Sequence, residues 1–193
     1  MSGFPTMSTT ISTCLPVATA AVVFVARLCE LATKRNVIHG RREEALTLRM
    51  FILCGFLSVS GGIAEHSIAH RGLWWPGYLP GVVISIGAFA LRRAAIRALG
   101  RFWSLHVEMR EGHEFVQSGP FARMRHPAYL SMIAEHIGIA LLLGTPVTLG
   151  VVMLIFIPTL RARLRREEAA LVRQFGAAYE DYMRRVPALF PKL

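Results

Sequence analysis

The sequence predicts an all-α, polytopic membrane protein with about five transmembrane helices, and three observations carry that prediction. Hydrophobic residues make up 53% of the 193 residues, and the mean hydropathy is +0.44. The apolar residues fall into five runs rather than into an amphipathic periodicity. The chain is nevertheless basic, with 22 Lys and Arg against 12 Asp and Glu, and these charges lie between the apolar runs. A basic excess on a soluble domain would suggest nucleic acid; bases interleaved with apolar runs fit the charge bias of membrane loops instead.

Residues 1–13 are rich in Ser and Thr and predict a frayed terminus. Leu15 to Ala32 forms the first run, carrying Arg27 and Glu30 near its end. It lacks a basic leader and a small-residue cleavage site, so it reads as a retained span. Leu46 to Ala69 is the second run, in which Gly61 and Gly62 allow close helix approach. Glu65 and His66 near its far end read as interfacial, snorkelling side chains. Trp74, Trp75 and Tyr78 suit a headgroup-level aromatic belt, and Tyr78 to Leu91, extended to Leu99, is the third run. A long polar stretch, about 100–127, separates it from Tyr129 to Leu143 and Val147 to Leu160, two runs joined only by Gly144-Thr145-Pro146. So short a link demands an antiparallel helical hairpin. Cys14, Cys29 and Cys54 each sit inside apolar runs without paired spacing, so neither a disulfide nor a metal site is expected.

Lys and Arg counts in the four inter-run loops and the tail are 4, 1, 7, 0 and 8. That alternation, under the positive-inside rule, faces the 100–127 stretch and the C-terminal tail to the cytoplasm.

Three polar segments could carry chemistry. Arg125-His126-Pro127 places a proline where a helix would start, with His126 held out of the α region just before it. On its own this is a helix start with a basic flank; a histidine and backbone donors there would equally suit a polar or anionic group. In the tail, Arg163 and Glu167 lie four residues apart and share a helix face, either as a surface ion pair or as the lining of a cleft. Gly176 breaks that helix, and Tyr179 and Tyr182 beyond it suit packing or a lid equally. His113-Glu114-Phe115-Val116, between two turn signals, gains weight only from its surroundings.

Taken in order, several segments resemble the isoprenylcysteine carboxyl methyltransferase family and, more broadly, the phospholipid methyltransferase group. They are Leu99 to Ser104, Gly112 to Val116, Ser118-Gly119-Pro120-Phe121, Arg125-His126-Pro127-Ala128-Tyr129, Arg163 to Glu168, Phe175 to Tyr182, and Val186 to Pro191. The resemblance covers residues 99–193, the predicted catalytic region of a single domain; residues 1–98 match only as anchoring spans. It implies an S-adenosylmethionine-dependent methyltransferase whose cofactor lies in a cytoplasmic cleft between the 100–127 segment and the C-terminal helix. It assigns cofactor contacts to His113, Glu114, Phe115, Val116, Phe121, His126, Pro127, Ala128, Tyr129 and Glu167. Arg163 is assigned to position an acceptor carboxylate, with no metal and no nucleic acid involved. The acceptor it implies is a prenylated cysteine or another lipophilic molecule presented from the bilayer. Phe121 replaces the family's usual tyrosine, His106 stands where eukaryotic members often carry glutamine, and Ser131 replaces a usual glycine. Methylation of a phospholipid amine, or an NADPH-dependent membrane reductase of similar tail architecture, are the alternative activities; a non-enzymatic scaffold is the third. The sequence assigns no functional role to Glu65, His66, Glu135 or His136.

Overall fold

A computed structural model describes residues 7–33, 41–42, 46–100, 108–109 and 116–190. The all-α class holds. The helices are α1 (Met7–Ala32), α2 (Leu46–Ile68), α3 (Trp75–Leu99), α4 (Pro127–Leu143), α5 (Pro146–Phe175) and α6 (Ala177–Arg185), with a short 3₁₀ turn at Gly119–Ala122. Beside them is a two-residue antiparallel pairing of β1 (Arg41–Arg42) with β2 (Glu108–Met109).

Four segments, Ser12–Ala32, Leu46–Ile68, Trp75–Leu99 and Pro146–Phe175, are long and apolar enough to cross a membrane. The fourth predicted run, which forms α4, is apolar but only 17 residues long, below the roughly 20 that an untilted span needs. Large apolar side chains on the outer helix faces are exposed, among them Val83, Ile86, Val151 and Leu154, as expected where the surrounding solvent is hydrocarbon.

Inside lipid the apolar effect does not drive helices together, so close backbone approach and buried polar bonds must do so. The α3–α4 contact is the most extensive in the fold. It is lined by Gly81, Ser85 and Gly138: a Cβ added at Gly81 would lie 2.7 Å from the Leu142 nitrogen, and one at Gly138 2.4 Å from Ser85 Oγ. Phe51 and Cys54 of α2 pack with Val152, Phe156 and Leu160 of α5 to form the main core. A second core joins Ala20, Val59, Ile139 and Leu143 across α1, α2 and α4.

The hairpin between α4 and α5 is tighter than the expected three-residue link, because only Gly144 and Thr145 lie between the helices. Gly144 ends α4 with φ at +67°, a left-handed conformation that costs glycine little, and Pro146 opens α5. The end of α2 clamps this turn. Glu65 accepts hydrogen bonds from the Val147 and Thr148 amides at 3.3 and 2.7 Å, capping α5, while His66 Nδ1 lies 2.7 Å from the Leu143 carbonyl. His66 is 1% exposed, so the expected snorkelling position gives way to a buried one. The reason is that the last carbonyls of α4 need a donor away from water.

The fifth apolar run and the charged tail are one element: α5 runs unbroken for 30 residues through Pro158. No capping residue or glycine separates Leu160 from Arg161, and the Arg, Leu, Glu and Ala that follow are strong helix formers. At 1.5 Å per residue α5 is about 45 Å long, some 15 Å more than a hydrocarbon core. Its charged second half therefore projects past the apolar region, where the site residues sit.

Candidate active site

Arg163 lies on the projecting half of α5 and Tyr129 in the first turns of α4. Arg163 Nε donates to the Tyr129 hydroxyl at 2.7 Å, and that hydroxyl donates to Glu167 Oε2 at 2.7 Å. Spacing four apart on one helix places Arg163 and Glu167 on either side of the same phenol. Arg163 is only 4% exposed. Its Nη1 also donates to Thr47 Oγ1 of α2 at 2.9 Å, and its Cζ lies 5.6 Å from the Phe51 ring centroid.

Beside this group, Glu168 Oε1 accepts from Arg125 Nε and Nη2 at 2.9 and 2.8 Å and lies 3.0 Å from His126 Nε2. A carboxylate only accepts, so Nε2 carries the proton in this arrangement. Arg125 Nη1 reaches the Met183 and Val186 carbonyls, and the Arg125 and His126 amides donate to Pro187 and Ala188 at 2.9 Å each. The His-Pro segment is therefore tied to the end of the chain beyond α6. Tyr179, Tyr182 and Val186 form a small core there, and the Tyr182 hydroxyl donates to the Phe121 carbonyl at 2.6 Å. Burial pushes the Tyr182 hydroxyl up to about 12, only partly offset by Arg125 and Arg185. Burial, with Glu168 and Glu167 nearby, likewise raises Tyr179.

Of the residues expected at the site, Arg163, Tyr129 and Glu167 come together directly. His126 is buried with its ring 5.7 Å from that of Tyr129, but it is anchored by Glu168 rather than Glu167. Pro127 is fully buried at the first position of α4, and Ala128 supplies the carbonyl that Ser131 Oγ meets at 2.6 Å. Phe121 enters through its backbone oxygen, and Val116 is partly buried at the edge of the described segment. His113, Glu114 and Phe115, like His106, lie outside the described residues. Sequence reasoning placed Arg125 and Glu168 within matching segments without giving either a role, and it passed over Thr47 altogether. Adjacency to Glu167 and His126 was an available signal for the first two; Thr47, 116 positions from its partner, offered none.

A second polar cluster sits among the spans. Arg92 Nε lies 2.6 Å from Glu30 Oε2 and its Nη1 2.5 Å from Glu135 Oε2, while Arg27 Nη1 lies 3.0 Å from Glu30. Two arginines and two glutamates thus balance one another across α1, α3 and α4, the arrangement an apolar surrounding demands. On α4, His136 Nδ1 lies 2.7 Å from Ser58 Oγ of α2, so both polar groups of that contact are satisfied. Among the described residues no group of three or more His, Cys, Asp or Glu is placed to hold a metal ion.

These features define a polytopic helical membrane protein with a charged site built where one long helix leaves its apolar region. Residues 81–173 match the model of the isoprenylcysteine carboxyl methyltransferase (ICMT) family. Protein-S-isoprenylcysteine O-methyltransferase B of Arabidopsis thaliana is 29% identical over 163 residues, 80% of this chain and 82% of that protein. The protein YpbQ of Bacillus subtilis is 32% identical over 156 residues, 79% of this chain and 89% of that one. The solved structure of a eukaryotic intramembrane Ras methyltransferase ICMT superposes with a TM-score of 0.64 at 26% identity, covering 70% of this chain and 51% of that chain. The chain also spans 58% of the length of the nickel-cobalt-cadmium resistance protein NccN of Alcaligenes xylosoxydans xylosoxydans, to which it is 28% identical over 127 residues. The chain belongs to the isoprenylcysteine carboxyl methyltransferase family, an integral membrane methyltransferase family.

Proposed function

We propose that this protein transfers a methyl group from S-adenosylmethionine to the carboxylate of a lipophilic acceptor, of which a prenylated cysteine is the leading class. The observation that carries the reading is the Arg163–Tyr129–Glu167 array at the point where α5 leaves its apolar half. The donor set fits the cofactor. A carboxylate at Glu167 matches its ammonium group, and the neighbouring, mutually tilted His126 and Tyr129 rings offer surface to its planar base. His113 through Val116, Phe121, Pro127 and Ala128 are assigned to the same cofactor. When bound, it supplies an electrophilic methyl group on a sulfonium sulfur that departs as a neutral thioether.

The chain's own residues then have limited but definite tasks. A carboxylate acceptor is ionised near neutral pH, so no general base is required. Arg163 orients it, and Tyr129 fixes the guanidinium of Arg163 relative to Glu167. His126, committed through Nε2 to Glu168, shapes the wall rather than moving protons. Burial of Arg163 excludes water from the acceptor oxygen, which raises its reactivity. The alternation of basic loops supports a cytoplasmic orientation for this site and for the C-terminus. The lipid-facing helices support an acceptor that arrives from the bilayer.

Thermal unfolding in detergent tests the cofactor. S-adenosylhomocysteine is expected to raise the midpoint and NADPH to leave it unchanged; the opposite pattern would favour the reductase.

A further inference from the structure

We infer that Thr47, in the first turn of α2, is a positioning residue for Arg163 and through it for the acceptor carboxylate; the inference rests on the methyl-transfer reading above. Thr47 lies outside the family-matching residues 81–173, in the half of the chain that otherwise reads as anchor. Its Oγ1 accepts Arg163 Nη1 at 2.9 Å, and Thr47 is 5% exposed. One turn along the same helix, Phe51 sets its ring 5.6 Å from Arg163 Cζ. On the opposite side, Arg163 Nε is committed to the Tyr129 hydroxyl at 2.7 Å.

The guanidinium is thus held by a hydroxyl and a ring from α2 and by a hydroxyl from α4. An arginine that meets a carboxylate as a planar fork must present that plane at a set angle, and a free arginine side chain loses rotamer entropy when ordered. Two hydroxyls on different helices remove that freedom before the acceptor arrives. Apolar packing between α2 and α5 is already supplied by Phe51, Cys54, Val152 and Phe156, so the hydroxyl of Thr47 is not needed to dock the helices.

The test compares Thr47→Val, which keeps the shape and removes the hydroxyl, with Thr47→Ser, which keeps the hydroxyl. Both are assayed in nanodiscs with S-adenosylmethionine and N-acetyl-S-farnesylcysteine. Loss of a buried hydrogen bond to a charged group predicts that Thr47→Val lowers kcat/KM for the acceptor about tenfold or more. Thr47→Ser is expected to stay within about twofold of the parent, and S-adenosylhomocysteine affinity by calorimetry to change by less than about twofold in either variant, well inside that tenfold effect. Equal kcat/KM in Thr47→Val and the parent overturns the role of Thr47 alone. So does equal impairment of both variants, or a matching loss of S-adenosylhomocysteine affinity, either of which marks a structural effect. Absence of methyl transfer to this acceptor by the unsubstituted protein overturns the prenylated-cysteine reading of the proposed function and the role of Thr47 with it.

Discussion

Tyr129 and Glu167 are joined by a single hydrogen bond of 2.7 Å that links the first turns of α4 to the projecting half of α5. The same phenol accepts Arg163 Nε, so one side chain holds the residue assigned to the cofactor and the residue assigned to the acceptor in fixed relation. Glu167→Ala should weaken S-adenosylhomocysteine binding by about tenfold or more, the scale of a lost charge-assisted bond. Tyr129→Phe should both weaken that binding and raise the KM for the acceptor. Calorimetry that finds parental affinity in Glu167→Ala would remove Glu167 from the cofactor site.

Arg92 bridges Glu30 of α1 and Glu135 of α4 from its place on α3. Replacing it with Leu leaves two carboxylates to one guanidinium in an apolar setting, where an unbalanced buried charge costs about 3–5 kcal/mol. Thermal unfolding in detergent should show a large drop in the midpoint, partly restored when Glu135→Leu is added. A midpoint within a degree or two of the parent would mean that this cluster does not hold α1 to the bundle.

Tyr182 gives the fold an alkaline limit. Its hydroxyl, raised to about 12 in the folded protein by burial, loses its proton near 10 when unfolded. A pKa raised by folding contributes stability fully present below pH 10 and lost as the pH climbs towards 12. Tyr182→Phe lacks the bond to the Phe121 carbonyl and should be less stable at pH 8, yet lose less on going from pH 9 to 11. An identical pH slope in the two proteins would contradict this assignment.

Much of the architecture was legible because lipid imposes a simple rule on sequence. The apolar runs, the proline at the start of α4 and the short hairpin each follow from what backbone groups require without water. The continuity of α5 was less legible, since a change from apolar to charged residues looks like a boundary but does not break helical hydrogen bonds. Among the candidate site residues, Arg163, Tyr129 and Glu167 were singled out through spacing and family motifs, and the fold brings them together. Glu168 was passed over because a second acidic residue in a row points off the first one's face of an ideal helix; here it turns to Arg125 and His126. Thr47 and the Glu30–Arg92–Glu135 cluster depend on contacts between distant segments, which one sequence does not encode as a local pattern.

The central claim is tested most directly by where the methyl group goes. The protein in nanodiscs is incubated with methyl-labelled S-adenosylmethionine and N-acetyl-S-farnesylcysteine, alongside the same compound with its carboxylate blocked as an amide. The predicted result is label in the free acid as a base-labile methyl ester, none in the amide, and loss of that label in Arg163→Gln. Label appearing instead on a phospholipid amine, or equally on the blocked compound, would contradict the account.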